Sequence, residues 1–439
     1  MPAHLSRFIL FALPILLPAA VHAAPVRLTV PPDLSAPRPA PIRVTGLPPS
    51  ATVTLTTVQQ RDRDGRFEAA VTFRATKAGT VDTARQAPIT GSYSGVEPLG
   101  AFWSAMEVKN PSGAVQDIAI GYARVTVRVN GREIATGTVR IRPDTAGIRL
   151  STATPFPGAV WAVPTDHRRH PVVIVLGGSE GGSSTARAMA PLFAARGYAA
   201  LGLPYYDPGY DPSDRMEGLP HSFTAIPVDR LSAVREWLKA RPDADASRIG
   251  LWGASKGAEF ALIAASRYSW IKAVVAVVPS DLVWEGWGGS GPATASFAFD
   301  GRPLAFEPYA GMDAELAKAA RGEPMDLRRV HVEGRAAHPD RVDAARIQIE
   351  RFHGKLLLIA GGRDQVWPSA EMATNIVAVR KRAREKTRIV AASFANHFLG
   401  GPGTTPVAPL ATPGSDAVAI AHARADGWAA TFDTFGAAL

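Results

Sequence analysis

The second part of the chain contains short apolar runs without polar alternation, and this pattern restricts the fold more than any other feature. The runs are separated by amphipathic segments such as 228–241, where apolar residues recur at helical spacing. Unalternating runs are typical of parallel strands buried on both faces, and strands that alternate with helices form doubly wound sheets. We therefore expect an α/β domain over 146–439. The runs are Val172–Leu176, Tyr198–Leu203, Ile249–Trp252, Ala273–Val278 and Leu356–Ala360.

The preceding region, 24–145, has a different pattern of short segments in which apolar and polar residues alternate. Examples are 53–58 and 125–129, and Asn130-Gly131 separates the second of these from another such segment. Asn-Gly favours the two positive φ angles of a type I′ hairpin turn. The pattern predicts an antiparallel β-sandwich in front of the α/β domain.

The first 23 residues have the pattern of an export signal. Arg7 precedes an apolar segment over 8–20, and Val21-His22-Ala23 precedes Ala24-Pro25. An apolar core of about 13 residues is short for a bilayer span, although a membrane anchor is the alternative interpretation. We expect cleavage after Ala23 and a periplasmic or secreted protein without stable membrane insertion.

Composition excludes several classes of function. The formal net charge is +9, but the positive residues are scattered, and the densest run, 380–386, is typical of one solvated helix face. We expect no nucleic-acid partner, whereas steering of an anionic substrate is compatible with this charge. The chain has no cysteine, which excludes disulfides and cysteine nucleophiles. No group of residues has metal-ligand spacing, so neither a metal nor a cofactor is expected.

A candidate nucleophile follows one of the apolar runs. Ser255 lies in Gly253-Ala254-Ser255-Lys256-Gly257, after the run 249–252 and before a helical segment over 258–266. G-x-S-x-G at a strand-to-helix turn is the nucleophile elbow of α/β-hydrolases, in which glycines are needed because a Cβ would clash. The motif alone is weak in a chain with 40 glycines, but its setting supports a serine nucleophile.

The acid and the base of such an enzyme follow the serine in chain order. Asp364 comes after the run 356–360, and His397 is followed by a glycine-rich loop. Asp281 is the rival acid and His422 the rival base, and Asp364 or His397 could instead have a structural role in a turn or in the core. The remaining histidines are poorer candidates because they precede Ser255 or lie in or beside an insertion over 281–346: His167, His170, His221, His331, His338 and His353.

The oxyanion hole of such an enzyme is expected to consist of backbone amides. We expect the N–H of Lys256 and amides of the glycine loop that follows the run 172–176, at Gly178 and Ser179. A phosphate-binding loop is the alternative, but this loop lacks the Lys-Ser/Thr ending and the G-x-G-x-x-G spacing.

Three segments carry a resemblance to a known family. They are Tyr93-Ser94-Gly95-Val96-Glu97-Pro98-Leu99-Gly100, Val175-Leu176-Gly177-Gly178-Ser179-Glu180-Gly181-Gly182 and Asp364-Gln365-Val366-Trp367-Pro368-Ser369. Together with the serine elbow they resemble the acyl-CoA thioesterase and bile-acid-CoA:amino-acid N-acyltransferase (BAAT) family, over nearly the whole mature chain. The resemblance favours Asp364 over Asp281 and places the base at His397.

The resemblance implies acyl transfer from a CoA thioester, through an acyl-enzyme, to water or to an amino acid. Conjugating vertebrate members use cysteine, so Ser255 points toward hydrolysis of a small-molecule acyl thioester. The export signal is unusual for an enzyme of cytosolic acyl-CoA, and it keeps open an exported carboxylesterase or amide hydrolase. A non-enzymatic binding protein is the third hypothesis.

Overall fold

The computed structural model describes residues 25–36, 38–61, 65–108, 118–210, 212–406 and 414–439. The export signal expected over 1–23 lies outside these residues. Within the described ranges, no helix combines the length and the apolar character that crossing a membrane requires.

The N-terminal region forms two antiparallel sheets, as the alternating pattern predicts. Buried and less buried residues alternate along its long strands, and Asn130 and Gly131 have φ angles of 50° and 77° at the hairpin between two of them. The strands are β1 (Arg27–Thr29), β2 (Arg43–Thr45), β3 (Thr52–Gln60), β4 (Arg66–Arg74), β5 (Val81–Asp82), β6 (Thr90–Gly91), β7 (Met106–Glu107), β8 (Tyr122–Val129) and β9 (Arg132–Arg140), and the short helix α1 is Gly100–Trp103. One sheet has the order β1-β2-β5 and the other β6-β4-β3-β8-β9, with β7 beside β4.

The C-terminal region contains an eight-stranded, mostly parallel sheet and confirms the predicted α/β-hydrolase class. Its strands are β10 (Ile148–Thr152), β11 (Val160–Pro164), β12 (His170–Leu176), β13 (Ala199–Gly202), β15 (Ala244–Ala254), β16 (Ile271–Val277), β19 (Lys355–Gly361) and β20 (Thr387–Ala392). Their spatial order is β10-β11-β13-β12-β15-β16-β19-β20, and the pairs from β13 to β20 are parallel. Each predicted apolar run contributes to one of these parallel strands.

Helices cover both faces of this sheet, and a separate apolar core lies on each face. The helices are α2 (Ser184–Ala194), α3 (Arg230–Lys239), α4 (Lys256–Ala265), α8 (Ser369–Arg382) and α9 (Ala417–Gly436). This arrangement buries the parallel strands from both sides, which explains why their sequences are apolar without alternation.

The insertion between β16 and β19 forms a cap of small elements. Its helices are α5 (Met312–Ala320), α6 (Leu327–Ala337) and α7 (Val342–Ala345), followed by a single 3₁₀ turn at Ile349–Arg351. Its strands β17 (Phe297–Phe299) and β18 (Arg302–Pro303) join β14 (Ile226–Pro227) in a small sheet. The cap packs beside the carboxyl ends of the parallel strands, where α/β proteins bind their ligands.

Candidate active site

Ser255 occupies a strained turn between β15 and α4. Its φ and ψ angles are 55° and −122°, outside the ordinary regions for a residue with a side chain, and its N–H donates to the carbonyl of Val277 at 2.9 Å. Such strain costs about 1–3 kcal/mol and persists where the surrounding packing enforces it. The turn lifts the hydroxyl above the end of the strand, as expected for a nucleophile elbow.

The two glycines of the motif allow this turn because backbone atoms approach them closely. A Cβ on Gly253 would lie 2.1 Å from the carbonyl oxygen of Gly257, and a Cβ on Gly257 would lie 2.2 Å from the carbonyl oxygen of Gly177. The second contact brings the elbow against the loop after β12. A larger residue at position 253 would distort the elbow itself, and one at position 257 would force the elbow and that loop apart.

His397 lies between Ser255 and Asp364. Its Nε2 is 2.9 Å from the Ser255 hydroxyl, and its Nδ1 is 2.8 and 2.9 Å from the two carboxylate oxygens of Asp364. With Nδ1–H donating to the carboxylate, Nε2 is left as the acceptor for the serine proton. The structure therefore brings together the three predicted residues, which follow the ends of β15, β19 and β20, in the geometry of a nucleophile, base and acid.

The carboxylate of Asp364 is fully buried and held by its own loop. Its Oδ1 accepts hydrogen bonds from the amides of Val366 and Trp367, at 2.9 and 3.2 Å. The indole N–H of Trp367 donates to Val278 beside the elbow at 3.1 Å, and its ring packs edge-on against His397. These contacts fix the orientation of both the carboxylate and the imidazole.

The rival residues are engaged elsewhere. Asp281 accepts hydrogen bonds from Arg335 and Asn375, at 2.5 and 2.7 Å. His422 lies on α9, with Nε2 2.8 Å from the Glu97 carboxylate of the β-sandwich. Neither residue contacts Ser255 or His397 in the part of the chain that the structure describes.

The loop after β12 lies beside the serine, but its amides differ in availability. The N–H of Gly178 donates to Glu180 Oε1 at 3.0 Å, and this oxygen also accepts from the Thr185 hydroxyl at 2.6 Å. The Lys256 amide is at the first position of α4, where helices leave N–H groups without an intrahelical partner. Among the predicted donors, Lys256 and Ser179 therefore have amides that the described residues leave available.

The Lys256 side chain is buried and points away from solvent. Its ammonium is 2.7 Å from Glu259, and both side chains are essentially inaccessible. Burial lowers the pKa of Lys256 and raises that of Glu259, while their mutual attraction opposes both shifts. The two residues form a buried ion pair in the first turn of α4, and their opposite charges compensate each other.

A cavity of about 690 Å³ opens in front of the serine. This volume is in the range of pockets that take drug-sized ligands, about 300–1,000 Å³. The cap and the loops at the ends of the parallel strands form the wall, which is largely apolar and also includes Glu180 and His331. The cap and loop residues that line it include Tyr210, Trp287, Tyr309, Met312, Leu316, Met325, Leu327, Val366, Trp367 and Phe398.

Sequence reasoning did not single out two residues of this site. Glu180 is a single residue in a glycine-rich loop, and no local pattern indicates that its side chain folds back to accept a hydrogen bond from the Gly178 amide. His331 is one of several histidines in or beside the insertion, and its position on the cavity wall depends on how the cap packs. The described residues contain no cluster of His, Asp and Glu side chains suited to a metal ion.

Comparisons with known proteins agree with this architecture. Residues 37–141 match the family model described as acyl-CoA thioester hydrolase/BAAT N-terminal region, and residues 232–414 match BAAT/acyl-CoA thioester hydrolase C terminal. Residues 158–290 match the dienelactone hydrolase family. The arrangement of sheet, elbow and cap is that of an α/β-hydrolase.

Three curated relatives illustrate the similarity. The mouse peroxisomal succinyl-coenzyme A thioesterase is 29% identical and human acyl-coenzyme A thioesterase 1 is 25% identical, each over 83% of both chains. The rat acyl-coenzyme A amino acid N-acyltransferase 2 is 26% identical over 85% of this chain and 87% of its own. The chain belongs to the acyl-CoA thioesterase and BAAT family, and it is an acyl-CoA thioesterase-like hydrolase.

Proposed function

We propose that the protein hydrolyses an acyl thioester through an acyl-Ser255 intermediate. The observation that carries the proposal is the 2.9 Å contact between His397 Nε2 and Ser255 Oγ, with Asp364 on the other ring nitrogen. In this arrangement a base within reach of the hydroxyl is held by a buried carboxylate.

Acylation begins when His397 Nε2 takes the proton of Ser255 and the serine oxygen attacks the carbonyl carbon. The carbonyl oxygen becomes an oxyanion, for which the amides of Lys256 and Ser179 are the proposed donors. The carbon–sulfur bond then breaks, and the leaving thiolate takes the proton from the imidazolium. Asp364 stabilises the positive charge on His397 during this step.

Deacylation repeats the sequence with water as the nucleophile. His397 accepts a proton from the water as it attacks the acyl-serine ester, and Ser255 regains its proton when the carboxylic acid leaves. In the relative named as an amino acid N-acyltransferase, an amino acid takes the place of water. The serine nucleophile is the residue that supports hydrolysis here.

The cavity and the N-terminus favour a second candidate, an exported carboxylesterase or amide hydrolase. Two charged side chains are described on the wall, Lys256, which is paired with Glu259, and the acidic Glu180. Neither offers a free cation for the phosphates of coenzyme A. The same chemistry at Ser255 would cleave an uncharged ester or amide.

The test is a hydrolysis panel on the purified mature protein, with acyl-CoAs and simple aryl or glyceryl esters side by side. We expect Ser255→Ala to reduce kcat by about four to six orders of magnitude on every substrate cleaved, because the nucleophile is lost. A fluorophosphonate probe should label the wild type and not this variant. Near-wild-type turnover by Ser255→Ala would contradict the mechanism. The substrate class that the wild type prefers decides between the two candidate functions.

We further propose export with cleavage after Ala23, on the grounds of the apolar segment 8–20 and the small residues that follow it. The mass of the protein recovered from a periplasmic extract should correspond to a chain beginning at Ala24. Recovery of the full-length chain from the cytosol alone would contradict this.

A further inference from the structure

The cavity wall contains a buried histidine that the proposed mechanism does not use. His331, on α6, is 3% exposed and lines the same cavity as Ser255. Its ring packs edge-on against Trp284, Tyr309 and Trp367, with centroids 4.6, 4.9 and 5.4 Å away. Three large aromatic rings thus fix its orientation.

The hydrogen bonds of this histidine define which nitrogen is free. Nδ1 is 2.7 Å from the carbonyl oxygen of Leu327, so it must carry the proton and donate it. Nε2 is then an unprotonated acceptor, and it is buried without a partner among the described residues. Burial lowers the pKa of His331 to about 3, with nearby Lys256 and His397 contributing, so the ring is neutral at physiological pH.

A second polar group lies on the same wall. Tyr309 stacks on Trp284 at an interplanar angle of 5° and lines the cavity. Its hydroxyl makes no hydrogen bond to any residue in the described part of the chain, although the side chain is largely buried. The wall therefore offers one acceptor and one hydroxyl, both unpaired, in surroundings that are otherwise apolar.

Unpaired polar groups in an apolar wall are unfavourable unless a ligand satisfies them. A purely hydrocarbon acyl chain would bury both groups and satisfy neither. A hydroxyl can donate to His331 Nε2 and can accept from the phenol of Tyr309. We propose that Tyr309 and His331 form a subsite for a hydroxyl group carried by the acyl part of the substrate, which rests on the acyl-transfer function proposed above.

Access to this subsite involves the flexible side chains of the wall. His331 Nε2 is closed off from solvent, so a hydroxyl reaches it by displacing a neighbouring side chain. Met312 and Met325 line the same cavity, and unbranched methionine side chains repack at small cost.

The experiment compares N-acetylcysteamine thioesters of dodecanoic acid and of its monohydroxylated derivatives, with the hydroxyl placed at several positions. This leaving group removes coenzyme A from the comparison. We expect kcat/KM for at least one hydroxylated position to exceed that of the parent thioester by about tenfold in the wild type. In His331→Leu the ratio of kcat/KM for the hydroxylated thioester to that for the parent thioester should fall to about one, and in Tyr309→Phe this ratio should decrease.

Tyr309→Phe removes a single oxygen, and it is the variant that tests the subsite if His331→Leu does not fold. The proposal is overturned if no hydroxylated position exceeds the parent thioester, or if the advantage is undiminished in either variant that folds. Calorimetric binding of the free hydroxylated and parent acids to Ser255→Ala gives the same comparison without turnover. A failed mechanism would leave that binding preference intact, whereas a failed subsite would abolish it.

Discussion

At the scale of single residues, the Glu180 side chain fixes the glycine loop that follows β12. Its carboxylate holds the amide of Gly178 and the hydroxyl of Thr185 on one oxygen, which ties the start of the loop to α2. Tyr205 also donates to the carbonyl of Gly177, at 2.7 Å. A loop fixed at these points can hold the Ser179 amide in place before the substrate arrives, and such preorganisation is the source of oxyanion stabilisation.

We therefore predict that Glu180 acts through hydrogen bonding rather than through its charge. Glu180→Ala should lower kcat by about 10–100-fold with little change in KM, because the donor geometry is lost mainly in the transition state. Glu180→Gln, which keeps an acceptor oxygen, should restore most of the activity. Steady-state kinetics on a short ester give both values, with Glu236→Ala on the exposed face of α3 as control. A glutamine variant as impaired as the alanine variant would contradict this assignment.

His331 also makes a prediction about pH and stability. Burial lowers its pKa from the ordinary value of about 6.5 to about 3 in the folded chain. Below about pH 6.5 the unfolded chain therefore binds a proton that the folded chain does not. Stability should therefore fall as pH decreases from about 6.5 toward 3. Relative to His331→Leu, the wild type should lose up to about 1.4 kcal/mol per pH unit in this window. Urea unfolding at several pH values measures the difference, and equal slopes for the two proteins would refute it.

At the scale of elements, α4 connects the nucleophile to the cap. All ten of its residues, Lys256–Ala265, are buried. Glu259 pairs with Lys256 and also accepts from the amide of Trp284 in the cap at 3.2 Å. The first turn of the helix thus carries the serine at its start and a buried ion pair directly beneath it.

Breaking this pair on one side should be strongly destabilising. Glu259→Gln or Lys256→Met alone leaves one uncompensated buried charge and should cost about 3–5 kcal/mol of unfolding free energy. The double variant should recover much of this loss, because no charge then remains buried. A double-mutant cycle from urea unfolding measures the coupling. Additive losses would show that the two charges do not stabilise each other.

At the scale of the whole molecule, α9 joins the β-sandwich to the catalytic region. Ala421 packs into the sandwich core, whereas Ile420, Ala423 and Trp428 pack into one core of the large sheet. Arg424 donates to the carbonyls of Gly400 and Thr405, in the loop that follows His397. The helix that closes the sandwich core therefore also supports the loop of the candidate base.

We predict that the two regions unfold together. Ala421→Asp would place a charge where the side chain is 3% exposed, and it should cost more than about 3 kcal/mol. The unfolding midpoint should shift by the same amount whether it is followed by tryptophan fluorescence or by circular dichroism, and each probe should show a single transition. Ala437→Asp, at an exposed position just after α9, is the control and should cost less than about 1 kcal/mol. Separate transitions for the two regions would contradict the shared role of α9.

Local patterns were sufficient to predict the fold class and Ser255 as the candidate nucleophile. Burial on both faces makes parallel strands apolar throughout, and a strained strand-to-helix turn requires glycines at 253 and 257, so both features are visible over short stretches of sequence. Asp364 and His397 were predictable as types because they follow strand ends downstream of the serine. The choice of Asp364 over Asp281 needed the family resemblance in addition.

The interaction partners of those residues depend on the tertiary structure. Three features of the site depend on contacts made when the cap and the loops pack together. They are the hydrogen bond from the Gly178 amide to Glu180, the ion pair of Glu259 with Lys256, and the unpaired Nε2 of His331. Such contacts have no period along the chain, since each depends on side-chain packing between elements far apart in sequence. Sequence patterns were enough to predict the kind of fold and a candidate nucleophile, whereas tertiary packing sets the shape and polarity of the cavity in front of Ser255.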